Sequence, residues 1–245
     1  MGVDDIPNAQ EQLFRPGLTA RQKYASLIVG RNGWGPLIKY ELVVLASQAV
    51  PGALGLALRK TLYPSLLGGC GRNVVFGQNV VLRHPHKIRI GDNVVIDDNC
   101  LIDAKGETNT GIRIGNGVFI GRNTILSCKN GDIEIADGAN IGFNCELFSA
   151  SRVRLGANAL LAAYCYVVGG DHDFSDLSRP VVAQGRTSAG VTIGEGAWLG
   201  AGVTVLDGVQ VGAHAIVGAG AVVREPVPDR GIAVGIPARL VGSRQ

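Results

Sequence analysis

From Gly68 almost to the C-terminus, hydrophobic positions recur every six residues. The clearest stretch, Val191 to Val223, reads VTIGEG, AWLGAG, VTVLDG, VQVGAH, AIVGAG, AVV. Each word opens on a small or branched residue, has an aliphatic third and usually a glycine fourth. A helix would scatter these aliphatics around its axis at 3.6 residues per turn. Short strands, three words to a turn and stacked into a solenoid, gather them on one side, and hexapeptide periodicity is the mark of a parallel β-helix.

Grouped by threes, the turns start at Gly68, Ile88, Ile112, Ile133, Val153, Val191 and Val209. In the first five, extra residues always follow the third face, after Leu82, Ile102, Leu126, Leu147 and Val167. A triangular cross-section with one loop-bearing corner follows. At roughly 4.8 Å per strand, about seven turns give a prism on the order of 34 Å long.

The second residue of each word faces outward, because strand side chains alternate. Face one carries Arg89, Arg113, Glu134, Arg154, Thr192 and Gln210, a solvated set. Face two carries Val75, Val95, Phe119, Asn140, Leu160, Trp198 and Ile216. Face three carries Val81, Leu101, Ile125, Glu146, Tyr166, Thr204 and Val222. Two apolar outer faces are more than a lone soluble prism exposes. Neighbours on two sides and water on the third are what a three-fold ring of head-to-tail contacts requires, so the pattern predicts a homotrimer.

Residues 1–67 follow another rule. Leu13 to Val29 suits one helix, Gly33-Trp34-Gly35-Pro36 reads as a breaker, and an apolar run, broken by Pro51-Gly52 and Pro64, extends from Leu37 to Leu67. The run holds Ser47 and Gln48 and is broken at Pro51, so two short helices packed on the solenoid's end are expected rather than a span. Contact of 37–67 with a membrane surface is the second reading. The chain thus divides into an N-terminal helical segment (1–67), a repeat domain (68–226, with a long loop at 168–190) and a tail (227–245).

Aromatics make up only 5% and the net charge is +3, which gives no argument for nucleic acid. No basic n-region precedes a short apolar stretch in Met1 to Gln12, so no cleaved secretory signal is expected. Five cysteines without a CxxC pair indicate neither a disulfide framework nor a zinc site. Cys100, Cys145 and Cys165 open their words and should point inward as core residues. Reduced thiols suit the cytoplasm.

The insertion after Val167 is the main candidate for chemistry: a loop of this length inside a compact repeat is functional or disordered. It places His172 between Asp171 and Asp173, carboxylates able to orient an imidazole or raise its basicity; a solvated histidine in an acidic turn is the alternative.

About residues 68–242 resemble the hexapeptide-repeat acyltransferases, most of all their sugar and polysaccharide O-acetyltransferase branch. The resemblance rests on the hexads, the GGDHDFSD loop, Ala197-Trp198-Leu199-Gly200 with Gly202, Val217-Gly218-Ala219-Gly220, and Val234-Gly235-Ile236-Pro237-Ala238-Arg239. It implies a mainly β fold, a left-handed parallel β-helix. It also implies a homotrimer with active sites between subunits, acetyl-CoA as co-substrate, and His172 as general base, with Asp171 or Asp173 on its second ring nitrogen. By the same resemblance Trp198, Gly200, Ala201 and Gly202 line the thioester end of the CoA groove, Ala219 and Gly220 its middle, Pro237 the adenine, and Arg239 a phosphate. Glu225 stands where many relatives carry lysine, with Arg224 beside it as the substitute. Asn144, Glu146 and Tyr166 are the acceptor-side candidates, since a greasy face buries a carboxylate only for a partner. His84 and His86, four turns from His172, are read as structural or solvated, and His214 as a bend residue. No metal is expected, because the four histidines do not converge as a zinc site needs. The function implied is transfer of acetyl to a hydroxyl of a sugar or polysaccharide precursor. Transfer to an amino sugar and a non-catalytic trimeric scaffold are the alternatives.

Overall fold

The computed structural model describes residues 16–245. From Gly69 onward the chain coils into three parallel sheets. Face one stacks seven strands, from Gly69–Cys70 to Gln210–Val211. Face three stacks seven more, from Val81–Arg83 to Val222–Val223. Register is in phase with the hexads throughout: on face three, Val81, Leu101, Ile125, Glu146, Tyr166, Thr204 and Val222 are successive partners. The inward positions form one continuous core of Val, Ile, Leu and Ala, in which Cys100, Cys145 and Cys165 are at most 1% exposed.

Two steric rules explain the hexad. At its fourth position a side chain would collide with the next turn: a Cβ on Gly71 would lie 2.5 Å from the carbonyl carbon of Gly91. The sixth residue adopts the left-handed conformation, which asparagine and glycine tolerate; Asn73, Asn99 and Asn144 have φ of 57°, 59° and 55°. The asparagines also bond to one another up the corner, as Asn123 Nδ2 does to Asn144 Oδ1 at 3.0 Å.

The solenoid runs further than the expected seven turns. Val227 bridges Val211 on face one, and Gly231–Val234 adds a strand beside Ile216–Val217 on face two. The tail therefore begins as an eighth, incomplete turn, then folds back through Arg239–Ser243 as an antiparallel hairpin.

The N-terminal segment departs from expectation in two places. Leu13 to Arg15 lie outside the described residues. The first described helix, α1 (Ala20–Tyr24), starts at a capping box in which Thr19 accepts from Gln22 N, and it passes into a π-helical turn over Ala25–Val29. Gly33-Trp34-Gly35-Pro36 is not a break but the start of α2 (Trp34–Ser47), because proline is tolerated in a first helical turn, where no N–H is needed. Helix α3 (Gly52–Leu62) follows. Both helices pack on the first turn of the solenoid, as expected. Tyr40 and Tyr63 donate to the carbonyls of Leu82 and Val80, and Arg59, 1% exposed, donates to those of Phe76, Ser47 and Val50. Among the described residues no helix is long and apolar enough to cross a membrane.

Candidate active site

The loop after Val167 leaves face three at Gly169 and folds as a short antiparallel hairpin, Asp171–His172 against Arg186–Thr187. Its root is tied down: Ser188 Oγ lies 2.6 Å from Ser151 Oγ and donates to Gly169 O, and Asp207 accepts from Ala189 N and Gly190 N. Further out, Gln184 accepts from Asp176 N and donates to the carbonyls of Asp176 and Arg179. The tip presents Phe174, Leu177, Val181 and Val182 outward.

His172 is half-buried. Its Nδ1 is enclosed and has no hydrogen-bond partner among the described residues. Neither flanking carboxylate holds the ring. Asp171 Oδ1 accepts from the backbone N–H of His172 at 2.8 Å, and Asp173 Oδ1 accepts from Ser175 N and Oγ. Those bonds from Ser175 lower the Asp173 pKa. Adjacent residues on an extended strand point apart, which is why carboxylates next in sequence are not next to the imidazole. Arg186 is the residue directly across the hairpin from His172, and the sequence reading passed over it.

The residues expected for CoA come together on the corner between faces two and three. Gly200, Ala201 and Gly202 turn that corner in one rung, and Gly218, Ala219 and Gly220 in the next; Gly220 N donates to Ala201 O at 2.8 Å. Ala201, Gly202, Ala219 and Gly220 are exposed, and a Cβ on Gly220 would meet open space. The result is a smooth column of backbone whose Ala201 and Ala219 N–H groups donate to nothing among the described residues. Trp198 flanks it on face two, 46% exposed. Pro237 and Arg239 are exposed beyond it, after a cis Ile236–Pro237 bond. Arg239 pairs with Glu225 at 3.6 Å, an exposed contact of little strength. Arg224 has no partner among the described residues.

Asn144, Glu146 and Tyr166 lie between these two regions. Asn144 turns the corner, with its side chain spent on Asn123. Glu146 and Tyr166 are paired on the outer surface of face three. Within one chain, face three separates His172 from the small-residue column by a strand's width, on the order of 15 Å. His84 is buried and its Nε2 lies 2.8 Å from Ser26 O, a structural role; His214 occupies a left-handed bend. Burial pushes the Cys100 thiol up to about 11.

Residues 190–225 match the family described as bacterial transferase hexapeptide (six repeats), and residues 70–104 the hexapeptide repeat of succinyl-transferase. A probable acetyltransferase of Mycobacterium tuberculosis is 33% identical over 134 residues, covering 55% of this chain and 45% of that protein. The putative lipopolysaccharide biosynthesis O-acetyl transferase WbbJ of Escherichia coli is 29% identical over 149 residues, covering 58% and 74%. The chain thus spans less than half of the mycobacterial relative. Among solved structures, a variant of AntD, an N-acyltransferase from Bacillus cereus in complex with dTDP and coenzyme A, shares 25% identity at a TM-score of 0.52, covering 73% of this chain and 85% of that one. Two stretches of the chain thus match hexapeptide-repeat transferase families, and its relatives are named acetyltransferases.

Proposed function

We propose that the protein is a CoA-dependent O-acetyltransferase acting on a hydroxyl of a sugar or polysaccharide precursor. The observation that carries this reading is the half-buried His172, whose imidazole stands in a braced hairpin at the root of face three. Its Nε2 takes the proton from the acceptor hydroxyl as that oxygen attacks an acyl carbon; a base held within reach of the hydroxyl is what this chemistry needs. Acetyl-CoA supplies the acyl group as a thioester, whose C–S bond breaks as the new C–O bond forms; the thiolate leaves and takes up the proton that His172 received, giving free thiol. The small-residue column fits a thin pantetheine arm, and the unpaired Ala201 and Ala219 N–H groups are donors for its amides or for developing charge on the carbonyl oxygen. Trp198 walls the thioester end, Pro237 stacks on adenine, and Arg224 with Arg239 meets phosphate. Asp171 and Asp173 shape the turn that presents the imidazole, and Glu146 and Tyr166 bind the acceptor.

The working unit is a homotrimer. Histidine and column lie at opposite edges of face three, so a neighbouring protomer is needed to bring one chain's imidazole over another's groove. Exposed Ile38, Leu42 and Leu45 on α2 support a peripheral membrane contact. The second reading, transfer to an amine of an amino sugar, is favoured by the likeness to an N-acyltransferase.

The test is release of free thiol from acetyl-CoA with neutral, acidic and amino-sugar acceptors. Turnover is expected to fall by about 10²–10⁴ in His172→Ala, with CoA affinity unchanged. Equal turnover in the variant would overturn the base assignment, and silence with every acceptor would favour a scaffold.

A further inference from the structure

The loop-bearing corner holds a row of cations of which, among the described residues, only Arg83 has a carboxylate partner. Arg186 stands across from His172. Lys129 follows the face-three strand Ile125–Cys128, Lys105 follows Leu101–Asp103, and Arg83 ends Val81–Arg83. The registers stack Arg83, Asp103, Ser127, Phe148 and Val168 on successive turns. The row therefore runs parallel to the solenoid axis, about 19 Å from the level of Val168 to that of Arg83.

One carboxylate, Asp103, lies within the row; it is 7% exposed and already paired with Arg83 at 3.6 Å. Lys105, Lys129 and Arg186 are half-buried, and among the described residues their charged groups have neither a hydrogen bond nor an ion pair; Lys129 Nζ lies 5.8 Å from the centre of the Phe148 ring, its one cation–π contact there. Lys87, close by, shows the contrast: its Nζ donates to Gly106 O and Asn109 Oδ1, bracing the 104–111 loop. Burial lowers the pKa of both free lysines. Lys129 and Arg83 lower Lys105 further, and Arg186 does the same to Lys129, while Asp103 opposes the shift in each. The lower end of the row opens into a cavity of about 440 Å³ whose lining includes Asn32, His84, His86, Lys87, Lys105 and one carboxylate, that of Glu107. Above it the enclosed Nε of Arg83, a donor, has no partner among the described residues, whereas His84 gives its Nε2–H to Ser26 O and so presents a lone pair at its enclosed Nδ1. Half-buried like charges repel, and a buried donor left unmade costs stability, so an anion placed along the row would relieve both.

We propose that the acceptor is an extended anion whose negative groups lie along Arg186, Lys129 and Lys105 while its acylated hydroxyl sits at His172. This rests on the reading of His172 as the base. Both a sugar diphosphate and a carboxylate-bearing sugar chain meet the requirement; a neutral chain leaves the ammonium groups unpaired. Each charged hydrogen bond lost should weaken binding about tenfold or more.

The experiment measures binding by calorimetry without acyl donor, alongside thiol release. The probes are a neutral oligosaccharide, a carboxylate-bearing oligosaccharide and a nucleotide diphosphosugar, with the wild type and a Lys105→Gln/Lys129→Gln double variant. At least one charged probe is expected to bind, less tightly as salt rises, and at least tenfold less tightly to the variant; which probe binds identifies the source of the charge. The affinity for CoA should not change, and the variant's Tm should hold or rise as repulsion is relieved. The proposal is overturned if the neutral probe binds as tightly as both charged ones, if no probe binds, or if the variant matches the wild type. Salt-dependent binding without any thiol release would support the cation row while removing the acetyl-transfer reading, so the two failures are distinguishable.

Discussion

Glu146 and Tyr166 stand side by side on the outer surface of face three, at paired positions of adjacent strands. Burial, and then the Glu146 carboxylate, raise the Tyr166 pKa, so the phenol keeps its proton at neutral pH. A carboxylate that only accepts beside a hydroxyl that donates suits the vicinal hydroxyls of a sugar. Glu146→Gln and Tyr166→Phe are therefore each expected to raise the acceptor KM about tenfold, the worth of one hydrogen bond to a charged group. The KM for acetyl-CoA should stay constant. Initial-rate kinetics with both substrates varied would check this, and a change confined to Tm would reduce the pair to a structural contact.

The apolar ladder on face two is in register from Val75 through Val95, Phe119, Asn140 and Leu160 to Trp198. Four of its members, Val75, Phe119, Leu160 and Trp198, remain 37–46% exposed in the single chain. A charge placed there leaves the core alone, because inward partners such as Leu161 and Leu199 are untouched, and would face the neighbour of the proposed trimer. Leu160→Arg with Phe119→Glu is expected to convert a three-chain particle into monomers of unchanged circular dichroism and to abolish turnover. Sedimentation velocity decides: a monomeric wild type, or an active monomeric variant, would end the shared-site argument.

The hexads made the repeat domain legible residue by residue. Period six admits one register, and both special positions have a steric cause, as Gly71 and Asn73 illustrate. The small-residue column between faces two and three was legible as geometry through the same glycines. Other parts were not, for physical reasons. Pro36 looks like an interruption unless the helix start is known, since a first-turn proline and a helix-breaking one are spelled alike. Asp173 is committed to Ser175, an Asp-x-Ser turn that competes with any role on the imidazole. Lys105, Lys129 and Arg186 sit in three insertions of unequal length. No period connects them; only the stacked sheet does.

Arg59 is another residue the local string conceals, for it stands beside exposed Lys60 in the same helix. The structure encloses it and gives its guanidinium to four carbonyls, three of them at or beyond the end of α2. A cation there complements the helix dipole and satisfies carbonyls that the helix leaves open. Arg59→Met should leave those acceptors dry and destabilise the protein by roughly 3 kcal/mol or more. Lys60→Met should change stability by no more than about 0.5 kcal/mol. Urea denaturation of the two variants provides the comparison, and equal midpoints would contradict a bracing role.

His84 links the helices to the first turn of the solenoid: its backbone N–H donates to Ile28 O at 2.7 Å and its ring contacts Ser26 O. Burial pulls its pKa down from 6.5 to about 4. Between those values the unfolded chain binds a proton that the folded chain refuses, so this contribution to stability is complete above about pH 6.5. It declines as the pH falls and levels off below about 4. The difference corresponds to roughly 3 kcal/mol. Burial lowers His86 as well, adding in the same direction. His84→Asn keeps a residue that accepts the left-handed backbone, while removing both the titrating ring and its contact with Ser26. The variant is expected to be less stable at pH 7.5 yet to lose less between pH 6.5 and 4. Denaturant midpoints across that range would show the two curves converging at low pH; parallel curves would place the proton-sensitive group elsewhere.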